Sequence, residues 1–176
     1  DDLITLYNLI EKGILNKNDM YLCERNNKKL KAIIVDFDFK YNYNENENIR
    51  KYNENNIKNL FEIYIKKILE YFDVESKYHQ AFIFEKEKPF INESKNEVKD
   101  GIHMVFPFII ANNLYQQKIR NDLINDGNIE NEIKFINFNN NIDDILDKCI
   151  ITNAWLMYGC KKDDNKDPYL FSYLLE

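Results

Sequence analysis

The apolar residues of the chain recur with two spacings, one typical of helices and one typical of strands. The helical spacing is clearest from Ile57 to Phe72, where apolar side chains return after three, four, seven and eight positions. A shorter amphipathic stretch predicts a helix from about Asp2 to Lys12, with Gly13 as its stop. A third helix is predicted from about Asn113 to Ile124, and helical spacing returns from Ile142 to Ile150.

Short apolar or alternating runs predict strands between these helices. The predicted strands are Tyr21–Glu24, Ala32–Phe39, Ala81–Phe84, Gly101–Ile110, Ile133–Phe138, Ala154–Tyr158 and Tyr169–Leu175. A turn at Asn26-Asn27 predicts that the first two of these strands form a hairpin. Helices interleaved with mostly antiparallel strands predict an α+β fold, in which helices flank a central sheet. Since the sequence contains no internal repeat or linker, we expect one domain over residues 1–176.

The most informative strand carries two carboxylates, Asp36 and Asp38, inside the apolar run Ala32–Phe39. Because alternate side chains of a strand point to the same face, the two carboxylates share one face, and Val35, Phe37 and Phe39 share the other. Two like charges that leave water repel each other and lose their hydration unless a cation lies between them. We therefore expect a divalent-metal site on this face.

A second strand, Gly101–Ile110, alternates in the same way and places Gly101 and His103 on one face, with apolar residues between them in the core. A glycine two positions before the imidazole lets a ligand approach the backbone closely. The imidazole can donate to a phosphate oxygen or exchange a proton. A hydrogen-bonded core histidine is the alternative interpretation, and it is the one that suits His79 in its polar turn.

A third stretch supplies a further carboxylate, Asp147, and the turn Gly159-Cys160-Lys161 after an apolar strand. A lysine just beyond a strand end can reach a triphosphate as a point charge and hydrogen-bond donor. A solvated helix residue is the alternative interpretation of Asp147. Solvated surface is likewise the alternative for the clustered lysines at positions 28–31 and 161–166.

Composition narrows the class of protein. With 176 residues, of which 44% are hydrophobic and 14% aromatic, the chain is long enough for one compact domain with a core. Its net charge of −6 argues mildly against a protein that grips nucleic acid by itself, since phosphate binding usually leaves a basic footprint. The three cysteines are scattered, so we expect neither a disulfide framework nor structural zinc, and a reducing compartment is the simplest setting. No apolar run approaches the roughly 20 residues of a membrane span.

Together the three stretches resemble the motifs of archaeo-eukaryotic primases. Asp36-Phe37-Asp38 is similar to their carboxylate–x–carboxylate motif, Gly101-Ile102-His103 to their small residue–x–histidine motif, and Asp147 to their single carboxylate. The phrases around these motifs, including Trp155–Gly159, resemble the primase domain of the helicase–primases of large cytoplasmic DNA viruses, the poxvirus and mimivirus type. At Gly101 and Cys160 the chain departs from that group, where serine is expected.

The resemblance implies a primase-like (RRM-like) catalytic sheet and the activity of a DNA primase or primase–polymerase. Such an enzyme is a nucleotidyltransferase that makes primers on single-stranded DNA with two Mg²⁺ or Mn²⁺ ions. The implied partners are the template, nucleoside triphosphates and a helicase module of the same polypeptide, in the cytoplasm of an infected cell. A chain that begins at Asp1 without a methionine fits a segment of a longer helicase–primase.

The resemblance also implies which residues form the site. The implied metal ligands are Asp36, Asp38 and Asp147, and the implied nucleotide-binding residues are Gly101, His103 and Lys161. The three carboxylates and His103 make up the implied catalytic set. Lys40 and Lys99 are weaker candidates for phosphate or template contact.

Two other interpretations remain open at the level of the sequence. Glycosyltransferases that bind nucleotide sugars also use an Asp-x-Asp pair with a divalent ion, although this chain lacks the strand–helix–strand rhythm of their folds. A primase-like module could also bind DNA or tether a helicase without catalysis. Metal-dependent nucleotide binding would argue against this last interpretation.

Overall fold

The structure, a computed structural model, describes residues 2–25, 29–45, 50–164 and 166–176. Its helices are α1 (Asp2–Leu15), α2 (Glu54–Leu69), α3 (Asn113–Asn125), α4 (Asn128–Ile133) and α5 (Ile142–Ile145). Its strands are β1 (Cys23–Glu24), β2 (Lys31–Asn42), β3 (Ala81–Lys86), β4 (Phe90–Asn92), β5 (Glu97–Ala111), β6 (Trp155–Leu156) and β7 (Tyr169–Leu175). Short 3-10 turns occupy residues 76–78, 93–95, 134–136 and 148–151. Among the described residues, no helix combines the length and apolar character needed to cross a membrane.

The main sheet is antiparallel, with the strand order β2-β5-β3-β7. β2 and β5 pair along their whole length, from Lys31 opposite Ala111 to Asn42 opposite Glu97, with one irregularity after Ala32. The short β4 pairs with the first part of β5, and β3 pairs with a later part. This arrangement confirms the predicted α+β fold with a central, mostly antiparallel sheet.

The hydrophobic core lies between one face of this sheet and the helices α2, α3 and α4. Val35, Phe37 and Phe39 of β2 are almost completely buried there, which confirms the face assigned to them. The ring of Phe37 meets Tyr64 of α2 edge-to-face at 6.0 Å. Such a contact contributes about 0.5–1.5 kcal/mol beyond burial of the two rings. The opposite face of β2 is therefore the one that is left for polar chemistry.

The predicted hairpin between the first two strands is wrong. β1 pairs instead with β6, with Cys23 opposite Leu156, and forms a separate two-stranded sheet. The edge of β2 that does not pair with β5 contacts other segments, because Phe37 bridges to Leu146 and Tyr41 bridges to Phe138. The proposed turn at Asn26-Asn27 lies outside the described residues.

Three other predicted elements differ from the structure. The predicted strand Ile133–Phe138 is the end of α4 and a 3-10 turn, since Ile133 and Ile136 reach the core at helical spacing. α1 passes through Gly13 and ends at Leu15, so the predicted stop at this glycine is wrong. The predicted helix Ile142–Ile150 is broken at Leu146 and Asp147, where the chain pairs with β2.

Candidate metal and nucleotide site

The register of β2 against β5 brings the first two predicted motifs together. Asp36 lies opposite His103, and Asp38 lies opposite Gly101. Because cross-strand neighbours in register share a face, the four residues occupy the sheet face that points away from α2, α3 and α4, which is called the open face here. The predicted common face of Asp36 and Asp38 is confirmed.

Asp147 joins them from the edge of the sheet. Its N–H donates to the carbonyl oxygen of Asp36 at 3.1 Å, one residue after the bridge between Leu146 and Phe37. Its own carboxylate accepts from the N–H of Cys149 at 2.7 Å and so caps the following 3-10 turn. One oxygen from each of Asp36, Asp38 and Asp147 lies within 4.8 Å of the others. This acidic cluster could hold a metal ion.

Electrostatics favour a cation in this cluster. The side chain of Asp36 is 14% exposed, and its Oδ1 has no hydrogen-bond partner among the described residues. Burial raises the pKa of Asp36 well above its ordinary value, and the charges of Asp38 and Asp147 raise it further. Burial likewise raises the pKa of Asp38. Hard divalent cations prefer oxygen ligands of this kind, so the residues present fit Mg²⁺ or Mn²⁺.

His103 lies between two aromatic rings. Its ring centroid is 3.4 Å from that of Tyr169 and 4.3 Å from that of Trp155, and its Nε2 is 3.5 Å from Asp36 Oδ1. Burial, with a smaller effect from Lys86, lowers the pKa of His103 well below its ordinary value. The imidazole is therefore neutral near pH 7 and can donate one N–H to a ligand without adding a charge.

Gly101 is required by its surroundings. A Cβ at this position would collide with the carbonyl oxygen of Phe37 and would lie 2.8 Å from the hydroxyl of Tyr169 and 3.5 Å from Asp38 Oδ1. The serine that the resemblance leads one to expect would not fit here. The phenol of Tyr169 lies beside the place where that serine would project, and burial together with Asp36 and Asp38 raises its pKa well above the ordinary value. Tyr169 therefore stays protonated and can donate a hydrogen bond.

Lys86 belongs to the site, and the sequence analysis missed it. It ends β3 opposite Tyr169, two residues after Phe84, which lies opposite His103. Its ammonium lies 4.9 Å from the centroid of the Tyr169 ring and lowers the pKa of both Asp36 and Asp38. Alternation along residues 81–86 places Lys86 on the same face as Phe84. That this face is the one with the carboxylates follows only once the pairing of β3 with β5 is known.

An ion pair between the half-buried Arg50 and the buried Asp100 holds the end of β3 against β5. Arg50 contacts Asp100 Oδ2 through Nε at 3.0 Å and donates through Nη2 to the carbonyl oxygen of Lys86 at 2.7 Å. The carboxylate of Asp100 also accepts from the N–H of Gly101 at 2.9 Å. Arg50 and Asp100, both on the helical side, thus position Lys86 and Gly101.

The three lysines predicted from the sequence differ in their contacts. Lys161 forms an ion pair with Asp19 at 2.5 Å, whereas Lys40 and Lys162 lower the pKa of Asp38. Lys40 and Lys99 lie opposite each other, in the row of the open face next to Asp38 and Gly101. The roles predicted for Lys161, Lys40 and Lys99 in binding phosphate stay predictions.

Comparison with known proteins assigns the chain to a family. Residues 1–175 match the model described as "C962R protein N-terminal AEP domain", where AEP stands for archaeo-eukaryotic primase. The chain is also 30% identical over 125 residues to the "Putative helicase L207/L206" of Acanthamoeba polyphaga mimivirus. That alignment covers 70% of this chain and only 13% of the relative. The chain belongs to the family of N-terminal archaeo-eukaryotic primase domains, as its three motifs predicted.

Proposed function

We propose that this domain is a template-directed nucleotidyltransferase that makes primers on single-stranded DNA for replication. The observation that carries the proposal is the cluster of Asp36, Asp38 and Asp147, with an unpartnered oxygen of Asp36 beside His103 on the open face of the sheet. Membership in the primase family supplies the reaction class. The antiparallel sheet favours this function over a glycosyltransferase, whose Asp-x-Asp pair usually sits beside a parallel, Rossmann-like sheet.

In this proposal Asp36, Asp38 and Asp147 hold two Mg²⁺ or Mn²⁺ ions. When bound, such ions make the attacking 3′-hydroxyl more acidic and stabilise the leaving pyrophosphate. The three carboxylates come from two segments and already lie close together, so the protein would need no large rearrangement to bind the ions. Of the two carboxylates on β2, Asp36 is the one with a buried oxygen that lacks a hydrogen-bond partner, and coordination to an ion would satisfy that oxygen.

The neighbouring side chains hold the nucleoside triphosphate. His103 donates its N–H to a phosphate oxygen, and Lys86 adds a positive charge from β3. The absence of a side chain at Gly101 lets the nucleotide approach the backbone, and the hydroxyl of Tyr169 offers a further donor. Lys161 can join them only by leaving its ion pair with Asp19.

The relative's name leads to a proposal about the whole polypeptide. The mimivirus relative is described as a helicase, and this chain spans only 13% of it. The domain would therefore supply primers beside a helicase module in one chain, in the cytoplasm of an infected cell.

The proposal is tested by primer synthesis in solution. The protein is supplied with single-stranded template, NTPs or dNTPs, and Mg²⁺ or Mn²⁺, and short products are resolved on a denaturing gel. Wild-type protein should form template-dependent products, whereas the double variant Asp36→Asn, Asp38→Asn should form none. The matched control is Asp73→Asn, which alters an exposed carboxylate after α2. Products from the double variant would refute the assigned site.

A further inference from the structure

The open face of the main sheet carries a group of aromatic side chains next to the acidic cluster. The group, called the aromatic patch here, consists of Phe82, Phe84, Tyr158 and Phe171. Phe171 meets Phe82 at 5.9 Å and Phe84 at 6.1 Å between ring centroids. Tyr158 meets Phe84 at 6.0 Å. These contacts make one continuous aromatic surface.

The rings of the aromatic patch meet edge-to-face. Their interplanar angles are 81°, 72° and 61°, so they do not stack face-to-face on one another. Phe171 is 47% exposed and Tyr158 is 46% exposed. Large aromatic side chains left exposed together, and not scattered singly, typically mark a binding surface.

The aromatic patch is continuous with the site. Phe84 lies opposite His103, and His103 lies opposite Asp36, so one row of the sheet leads from the carboxylates to the patch. Phe171 extends the same row on β7. Since neighbouring strands are about 4.8 Å apart, Phe84 lies about 10 Å from Asp36 and Phe171 about 14 Å from it. One to three nucleotides of a bound strand would span this distance.

The charges on the open face favour a nucleic acid as the occupant. Lys86 lies one row from Phe84, and Lys40 and Lys99 lie in the row beyond Asp38. The face therefore offers aromatic rings with Lys86 beside them, and two further lysines beyond Asp38, of which Lys99 also pairs with Glu97 at 3.5 Å. Bases stack on aromatic rings, and phosphates pair with lysines, so both kinds of side chain on this surface match one polymer.

We propose that the aromatic patch binds bases of the single-stranded template by stacking and so leads the strand to the acidic cluster. This inference rests on the proposed function for the identity of the strand as template. The binding itself depends on neither the metal ions nor the nucleotidyl transfer. It can therefore be measured without catalysis.

The test compares Phe171→Leu, which removes a ring but keeps an apolar side chain, with wild-type protein. The matched control is Phe135→Leu, because Phe135 is 48% exposed and follows α4 in the helical layer. Binding of fluorescein-labelled oligo-dT is followed by anisotropy in EDTA. Phe171→Leu should weaken binding about 5- to 50-fold, as expected when one stacked base is lost. Phe135→Leu should bind as wild type does.

An oligonucleotide of the same length with abasic sites separates stacking from other effects. Wild-type protein and Phe171→Leu should bind the abasic strand equally weakly. Unchanged affinity of Phe171→Leu for oligo-dT overturns the proposal and leaves the patch as a surface for a protein partner. An equal loss on both strands also overturns it, because bases would then play no part.

Failure of this inference and failure of the proposed function are distinguishable. If primers are made while Phe171→Leu binds oligo-dT normally, only the stacking role is refuted. If no primer is made but the ring-dependent binding is found, the patch is a nucleic-acid site in a domain without the proposed activity. A thermal shift with Mn²⁺ that Phe171→Leu retains verifies that the variant is folded.

Discussion

At the scale of single residues, two positions of the site are set by unusual surroundings, a carboxylate that is buried near like charges and a glycine that has no room for a side chain. Asp36 is enclosed with two other carboxylates nearby, and burial and like charge both oppose its ionisation. Gly101 lies where any Cβ would meet the backbone of β2. A buried repulsion such as that around Asp36 is tolerated when a ligand later compensates for it.

Replacing Asp36 by asparagine should stabilise the metal-free protein. The change removes a buried charge that repels Asp38 and Asp147 and keeps the shape of the side chain. We expect a gain of about 1 kcal/mol, or about 2–4 °C in melting temperature for a chain of this size. Thermal denaturation in EDTA measures it, with Asp73→Asn as the control.

The same variant should lose its response to metal. Mn²⁺ should raise the melting temperature of wild-type protein and of Asp73→Asn, because a ligand that binds only the native state stabilises it. It should leave Asp36→Asn nearly unchanged. A lower melting temperature of Asp36→Asn in EDTA, or an undiminished Mn²⁺ effect, would contradict the proposed site.

Gly101→Ala should lower both stability and primer synthesis. The new Cβ must displace the backbone of β2 at Phe37 or the ring of Tyr169, at a cost of about 1–3 kcal/mol for overpacking. Gly13→Ala is the matched control, since its Cβ would meet only the flexible end of Met20 in a helix that favours alanine. Denaturant titration and the primer assay should separate the two variants. Equal behaviour would show that the space beside Gly101 is not needed.

At the scale of elements, α3 holds the segment that carries Asp147. Arg120 is 5% exposed and donates to the carbonyl oxygens of Leu146 and Asp143, each at 2.6 Å. It also pairs with the carboxylate of Asp143 at 2.8 Å. The break between α5 and the following 3-10 turn is therefore maintained by a residue that lies 26 positions before Leu146 in the sequence.

Arg120→Lys should lower the affinity for Mn²⁺ by more than it lowers the free energy of unfolding. Lysine keeps the charge but cannot bond two carbonyl oxygens in the fork geometry of arginine, so Asp147 would lose its fixed position. We expect about 10-fold weaker Mn²⁺ binding, the usual effect of losing a group that orients a ligand. A Mn²⁺ titration followed by electron paramagnetic resonance measures it, with Lys118→Arg on the exposed side of α3 as the control. Unchanged affinity in a destabilised variant would reduce Arg120 to a structural role.

At the scale of the whole molecule, the net charge of −6 does not describe where the lysines lie. Lys40, Lys86 and Lys99 share the open face, although the chain as a whole is acidic. The objection that an acidic protein should not bind nucleic acid therefore depends on where these lysines lie relative to the acidic cluster and not on the net charge alone. The positions of a few charges on the binding face influence the binding of nucleic acid more than the net charge of the protein does.

Lys99→Gln should reduce the salt dependence of binding to single-stranded DNA. Each phosphate contact that is lost lowers the slope of log K against log salt by about 0.7. Anisotropy titrations at several salt concentrations measure that slope, with Lys58→Gln on the exposed side of α2 as the control. A slope equal to that of wild type would exclude a phosphate contact at Lys99.

The sequence by itself determined what depends on local periodicity. Alternation along β2 and β5 was enough to place Asp36, Asp38, Gly101 and His103 on the face opposite the core, because a strand has only two faces. The helical spacing of α2 and α3 was equally decisive. Motif order then predicted the family, since three motifs in sequence are far more specific than one.

Only the tertiary structure decided which segments meet. The contribution of Lys86 and Tyr169 depends on the register of β3 and β7, and nothing local in a sequence specifies which strands pair. The predicted pairing of β1 with β2 failed for the same reason. β1 has only two residues, both exposed, so its sequence has too little pattern to show that it pairs with β6. Asp147 was predicted as a carboxylate in a helix, and it reaches the cluster because the helix breaks to pair with the free edge of β2. Side-chain faces follow from the local backbone, whereas neighbours follow from long-range pairing and packing.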